Sequence, residues 1–112
     1  MTDAPDMNVV FQALAHPARR RILDIVRDRP GCTVGAVGDD FEMSRIGVLK
    51  HIRNLEAADL LVSQREGRER HLYFNVVPIQ MIYDRWTSEY GRLWAGRLAR
   101  VKYRVENREE ER

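Results

Sequence analysis

Apolar residues recur at helical spacing along most of this chain and switch to strict alternation only near its middle. Asp6 stands just before Val9, Val10, Phe11 and Leu14, so a carboxylate is placed to cap a first helix over residues 7–15. Pro17 opens a second helix, because a first helical position has no use for the N–H that proline lacks. That helix carries Ile22, Leu23, Ile25 and Val26 and stops before Pro30-Gly31. Thr33 reads as the N-cap of a short third helix with Val34, Val37 and Phe41 at helical spacing. Gly35 and Gly38 weaken it, each by about 1 kcal/mol relative to alanine, so packing must hold it in place.

Ser44 caps a fourth helix, whose Val48, Ile52 and Leu55 fall at i, i+4 and i+7 and form its buried stripe. Ala57-Ala58-Asp59 ends it. The run from Leu60 to Glu66, the tight-turn pair Gly67-Arg68 and the run from Glu69 to Phe74 then predict a hairpin. In its second strand Leu72 and Phe74 alternate with His71, Tyr73 and Asn75. From Pro78 a last helix is predicted to about residue 105, with Ile79, Ile82, Tyr83, Trp86, Tyr90, Leu93, Trp94, Leu98 and Val101 in one uninterrupted stripe. A chain of 112 residues has little core left to cover so long a stripe, so a partner surface is expected there. The charged tail from Glu106 is expected to fray.

Length bounds the answer to one domain over residues 1–112 with one modest core, and no repeat or linker interrupts it. With 44% hydrophobic and 32% charged residues the chain should fold rather than stay disordered. A net charge of +2 argues little for nucleic acid, so the placement of the charge matters more. The lone Cys32 excludes an intrachain disulfide. The acidic opening Met1–Asp6 lacks the build of a signal peptide, and no apolar run approaches the ~20 residues that span a bilayer, so a cytoplasmic location is expected.

Placement is informative around the fourth helix. A helix with basic residues on its outer face, followed by a hairpin with arginines at its tip, is the pattern of a winged helix-turn-helix. Ser44 and Arg45 lie at the positive N-terminal end of that helix, where phosphate is favoured. Ile46, Gly47, Lys50 and Arg53 face away from the buried stripe and would enter the major groove. Gly47 permits close approach; Lys50 and Arg53 suit phosphates, and an arginine suits guanine. Arg65, Arg68 and Arg70 suit a narrow minor groove, although a charged hairpin also protects a sheet edge in solvent. Glu66 and Glu69 are expected to turn sideways and pair with arginines. Arg19-Arg20-Arg21 is either a solvated face or a backbone contact. His51 borders the outer face and either meets phosphate or packs at its edge; His16 is a helix-entry residue, and His71 sits on a strand within reach of DNA.

Ala13–Leu23, Met43-Ser44-Arg45 through Leu55-Glu56, and Arg65–Arg70 together resemble the ArsR family of bacterial and archaeal repressors over residues 8–103. Pro78–Gln80, Tyr83–Trp86 and Trp94 further resemble a branch of it without metal sites. The resemblance implies a mainly α fold with a small β-hairpin, a DNA-binding core over about 17–76, and dimerisation helices over about 7–15 and 78–105. It also implies a homodimer on a pseudo-palindromic operator in double-stranded DNA, usually repressing its own operon. Val10, Phe11, Leu14, Ile82, Trp86, Tyr90, Leu93 and Trp94 would form the dimer interface. The family often has glutamine or serine where this chain has Ile46 and Leu49. An apolar side chain at 46 can instead press on a thymine methyl, while Leu49, on the flank, can pack under the wing.

Metal and cofactor chemistry is not expected. Aligned by motif, the Cys-x-Cys positions of metal-sensing relatives are Thr33 and Gly35 here, and Cys32 is one residue early and alone. No histidine follows His71, and Asp39-Asp40-x-Glu42 reads as a helix terminator rather than a cation site. Cys32 lacks an activating pattern beyond its place before a helix. Trp86, Tyr90 and Trp94 are more often interface core than a pocket for an aromatic or lipid-like effector, and no pattern identifies an effector. The chain carries no nucleophile–base arrangement, phosphate loop or cofactor fingerprint, so an enzyme is not expected. The competing reading is a winged-helix module that binds protein through the same surface; only a DNA-binding protein need show strong salt dependence.

Overall fold

The first four predicted helix starts carry caps in the computed structural model, which describes residues 6–87 and 89–110. The Asp6 carboxylate accepts from the Asn8 N–H at 2.9 Å and opens α1 (Met7–Leu14). His16 Nδ1 accepts from the Ala18 N–H and opens α2 (Pro17–Asp28), with Pro17 in its first turn. Thr33 Oγ1 accepts from the Ala36 N–H at 3.1 Å and opens α3 (Val34–Gly38); Ser44 Oγ does the same for Gly47 at 3.1 Å and opens α4 (Arg45–Ala57). Such caps satisfy N–H groups that the helix itself cannot.

A sharp reversal ends α4. Asp59 adopts φ 59°, the left-handed conformation usual for glycine but open to aspartate. Around it the Leu60 N–H reaches the Leu55 carbonyl at 2.9 Å and the Asp59 N–H reaches that of Glu56 at 3.0 Å. This is the Schellman pattern, and the burial of both Leu55 and Leu60 supplies its apolar contact. Asn75 pins the reversal from outside, donating to the carbonyls of Asp59 and Leu60. The chain leaves it directly into β2 (Leu61–Glu66), which pairs antiparallel with β3 (Glu69–Phe74) across the Gly67-Arg68 turn. Gly67 has φ 65°, as a two-residue hairpin turn demands.

The hairpin is part of a larger sheet than alternation predicts. β1 (Cys32–Thr33) pairs with the other edge of β3, placing Cys32 opposite Leu72 and Thr33 opposite His71, in the order β1-β3-β2. Gly31 makes the approach possible: it has φ 82°, its N–H reaches the Leu72 carbonyl at 2.8 Å, and a Cβ there would stand 3.3 Å from the Tyr73 hydroxyl. α2, α3, α4 and β3 enclose the core, with Ile22, Val26, Val37, Ile52, Leu55 and Leu72 fully buried.

Several expectations need correction. Val10, assigned to a dimer interface, is 1% exposed and belongs to this core; Val9 and Phe11 are the exposed apolar residues of α1. Phe41 lies beyond α3, which stops at the second of its two glycines, and the Arg21 guanidinium stands 5.0 Å from its ring centre. The last helix is not continuous. α5 (Val77–Trp86) and α6 (Glu89–Glu110) are separate, with Thr87 between them donating its hydroxyl proton to the Tyr83 carbonyl. A threonine that bonds back to its preceding turn competes with the helix ladder. The charged tail, expected to fray, instead continues α6 to Glu110, aided by the Lys102–Glu106 pair one turn apart and by Arg108 in the last turn.

Contacts divide the chain into two units, Met1–Ile79 and Gln80–Arg112. The first holds the core. The second carries exposed apolar side chains: Trp86, Leu93, Trp94, Leu98 and Val101. Arginines lie over both tryptophans, Arg85 at 5.8 Å from Trp86 and Arg97 at 5.3 Å from Trp94. The side chain of Tyr90, predicted in this row, lies outside the described residues.

Leu72 faces Cys32 on one side and Ser63 on the other, and no part of it is exposed. Leu72→Ala should lower unfolding free energy in urea by about 2–5 kcal/mol, whereas Val62→Ala on the exposed face of the wing should change it by less than about 1 kcal/mol.

Candidate nucleic-acid interface

Burial of Val48, Ile52 and Leu55 fixes the rotation of α4 and turns Ile46, Lys50 and Arg53 outward along its opposite face. Ser44 and Arg45 are exposed at the helix N-terminus, where first-turn N–H groups have no intrahelical partner. Gly47 is half-buried, and a Cβ added to it would stand 3.4 Å from Met43 Sδ and Ser44 Oγ. Leu49 is half-buried under the wing, lining a shallow groove with Thr33, Val34, Gly35 and Arg68, as its flank position implied. Arg45 lines the adjoining groove between α3 and α4.

The arginines of this unit fall into two groups. Arg19 donates from Nε to His51 Nδ1 at 3.2 Å and from Nη1 to the Gln12 carbonyl at 3.3 Å. Arg20 donates to the Leu14 carbonyl at 2.7 Å, so both arginines serve the C-terminal end of α1. With Arg21 over Phe41, the whole Arg19-Arg20-Arg21 run is used within the fold. Arg29 pairs with Asp40 at 2.5 Å. By contrast, the side chains of Arg45, Lys50, Arg53, Arg65 and Arg68 make no hydrogen bond or ion pair among the described residues.

Two residues predicted at DNA belong to the first group. Arg70 Nη2 donates to both carboxylate oxygens of Glu56 at 3.0 and 3.1 Å and to Ser63 Oγ at 2.8 Å. It therefore ties the wing to the last turns of α4 rather than presenting a free charge. His51 accepts from Arg19 and packs against His16, ring centres 4.5 Å apart. Burial lowers its pKa, and the nearby His16, Arg19 and Lys50 lower it further, which favours the neutral ring. Glu66 and Glu69 also depart from expectation. They gather near His71 Nε2, at 3.5 and 3.9 Å, and form no ion pair with an arginine among the described residues. His71 Nδ1 lies 2.7 Å from the Gly31 carbonyl, a contact that requires the proton on Nδ1. The Arg70–Glu56, Arg19–His51 and His71–Gly31 ties had no local sequence signal, since their partners stand 14 to 40 residues apart.

Residues 14–64 match a family model described as a helix-turn-helix domain. The chain is 30% identical over 74 residues to the transcriptional repressor SdpR of Bacillus subtilis (strain 168), covering 66% of this chain and 81% of that protein. It is 32% identical over 85 residues to the uncharacterized HTH-type transcriptional regulator YuzN of the same organism, covering 70% and 92%. The crystal structure of an ArsR family transcriptional regulator superposes with a TM-score of 0.67 at 31% identity, covering 85% of this chain and 97% of that one. The chain belongs to the ArsR family of winged helix-turn-helix regulators.

As an ArsR-family protein it is a DNA-binding transcriptional regulator, and α4 followed by the β2–β3 hairpin gives it the winged helix-turn-helix arrangement. Thr33 caps α3, and Gly35 lies within it. Asp39 forms the C-cap of α3 and Asp40 is paired with Arg29. Burial pushes the Cys32 thiol up, against thiolate formation.

The His51 contacts set a pH dependence. Its folded pKa lies below the ordinary value of 6.5, so its share of stability is complete above that value and is lost as pH falls through the depressed one. Urea unfolding at pH 7.5 and pH 5.5 should show a smaller acid-induced loss of stability for His51→Gln than for the native chain. An equal loss in both would contradict the assignment.

Proposed function

We propose that this ArsR-family chain is a homodimeric, sequence-specific repressor of a pseudo-palindromic operator, including one before its own gene, acting in the cytoplasm. The observation that carries the reading is the set of cationic side chains with no hydrogen bond or ion pair among the described residues on α4 and the wing: Arg45, Lys50, Arg53, Arg65 and Arg68. Their neighbours Arg19, Arg20, Arg29 and Arg70 are all bonded within the fold, so the unpaired set is selective. Phosphates supply what it lacks, and each neutralised phosphate releases counterions. Lys50 and Arg53 would meet the major-groove wall. Arg68, at the tip beside the open Gly67, would enter the adjacent minor groove, where its planar cation suits the negative potential. The exposed Ser44 and Arg45 would add a phosphate contact at the helix N-terminus, with Gly47 allowing close approach. The repressor direction is supported by the name of SdpR.

A second copy would cover the exposed apolar rows. Phe11, 43% exposed, and the half-buried Leu14 would supply the α1 part; Ile82, Trp86, Leu93 and Trp94 would supply the part from α5 and α6, with Tyr90 in the same row of the sequence. Two-fold pairing gives two recognition helices, which is what a palindromic site requires. No metal site takes part in this reading, and release from DNA is not assigned to a ligand.

Arg68→Ala should weaken binding to the DNA upstream of the gene and reduce the slope of log affinity against log salt by about 1. Identical salt titrations for the mutant and native chains would remove Arg68 from the interface. Trp86, 62% exposed, contributes little to the fold of a single chain, so Trp86→Asp should leave helicity intact by circular dichroism. The same substitution should shift the mass measured by light scattering from dimer to monomer and weaken operator binding. A mutant that remained dimeric would exclude that helix from the interface.

A further inference from the structure

We infer that Ile46 reads the C5 methyl group of thymine, so that part of the operator's sequence information is carried by a methyl group and not by a hydrogen bond. This rests on the proposed insertion of α4 into the major groove. Ile46 is 81% exposed, the most exposed large apolar side chain among the described residues. Its position is the second of α4, in the first turn, where recognition helices meet base edges. The next outward positions, Lys50 and Arg53, are cations. Ile46 thus stands exposed in front of a cationic face, while Leu49, three residues on, is half-buried.

The chemistry of the groove supplies a match. Thymine is the unmodified base that presents a methyl group there, and apolar side chains contact it. Isoleucine is well suited: branching at Cβ holds χ1 of a helical isoleucine near one rotamer, so the probe is stiff before contact. Gly47, immediately beside it, adds no side chain of its own to hold the helix away from the base edges. Isoleucine has no polar atom, so it distinguishes bases through the methyl and not through the hydrogen-bonding groups around it. It should therefore respond equally to any C5 methyl at that position, including that of 5-methylcytosine.

The test uses the full-length chain and a randomised duplex library. Sequences enriched by binding should carry a thymine at a fixed position in each half-site. Replacing that thymine by deoxyuridine removes only the methyl and should weaken binding about fourfold per half-site. Placing cytosine there, and then 5-methylcytosine, should show a gain of similar size on methylation. Both ratios are taken within one protein, so a general loss of affinity or folding cancels. In Ile46→Ala both should fall towards 1. If the native chain binds its selected sequence equally with thymine and deoxyuridine, methyl recognition is wrong while DNA binding stands. If the ratios are unchanged in Ile46→Ala, another residue reads the methyl. If no sequence is enriched, the sequence-specific DNA-binding reading fails and this inference falls with it.

Discussion

The rotation of α4 about its own axis governs which of its side chains reach the surface. Val48, Ile52 and Leu55 are buried against α2 and the sheet, and each is worth roughly 1.5–3 kcal/mol in burial. With that stripe inside, the helix has no freedom to turn, and Ile46, Lys50 and Arg53 must face solvent. Ser44 fixes where the helix starts, and therefore which side chains occupy its first turn. The left-handed Asp59 fixes where it ends and sends the chain straight into β2. The wing is thus placed by the same short segment that places α4.

Charge is divided accordingly. Arg70, Glu56 and Ser63 bind the wing to α4 in a half-buried contact, where charge-assisted hydrogen bonds hold position better than in open solvent. On the far side of α4, Arg19 and the His16–His51 pair join α2 to that helix, and Arg19 and Arg20 hold the end of α1. These ties use cations to build a platform. In the first unit, the cationic side chains with no hydrogen bond, ion pair or ring contact among the described residues are Arg45, Lys50 and Arg53 of α4 and Arg65 and Arg68 of the wing. A net charge of +2 is compatible with a local cluster of unpaired cations, because carboxylates elsewhere in the sequence offset them.

Short-range chemistry is what the amino-acid order shows most directly. Caps act over two or three residues, so Asp6, Thr33 and Ser44 announce their helices without any tertiary contact. Burial of Val48, Ile52 and Leu55 follows from their spacing, and the hairpin follows from the Gly67-Arg68 turn between alternating runs. The winged-helix arrangement was legible from the same segment, because both its parts are consecutive in the chain. The break at Thr87 was not, since an apolar stripe continues across it while a single hydroxyl bonds back to the turn before.

Periodicity and capping determined which segments are helical, which face of each is apolar, and where basic side chains emerge, because these depend on neighbours within one or two turns. Tertiary structure alone decided which of those basic side chains remain free. β1, only two residues long, has no pattern of its own and exists because β3 offers it an edge. Val10 joined the core, and Arg70 and His51 found partners on other elements, through contacts between residues far apart in sequence. An exposed cation and a paired one look alike in a sequence; the difference lies in whether folding brings a carboxylate, a carbonyl or a ring to within bonding distance.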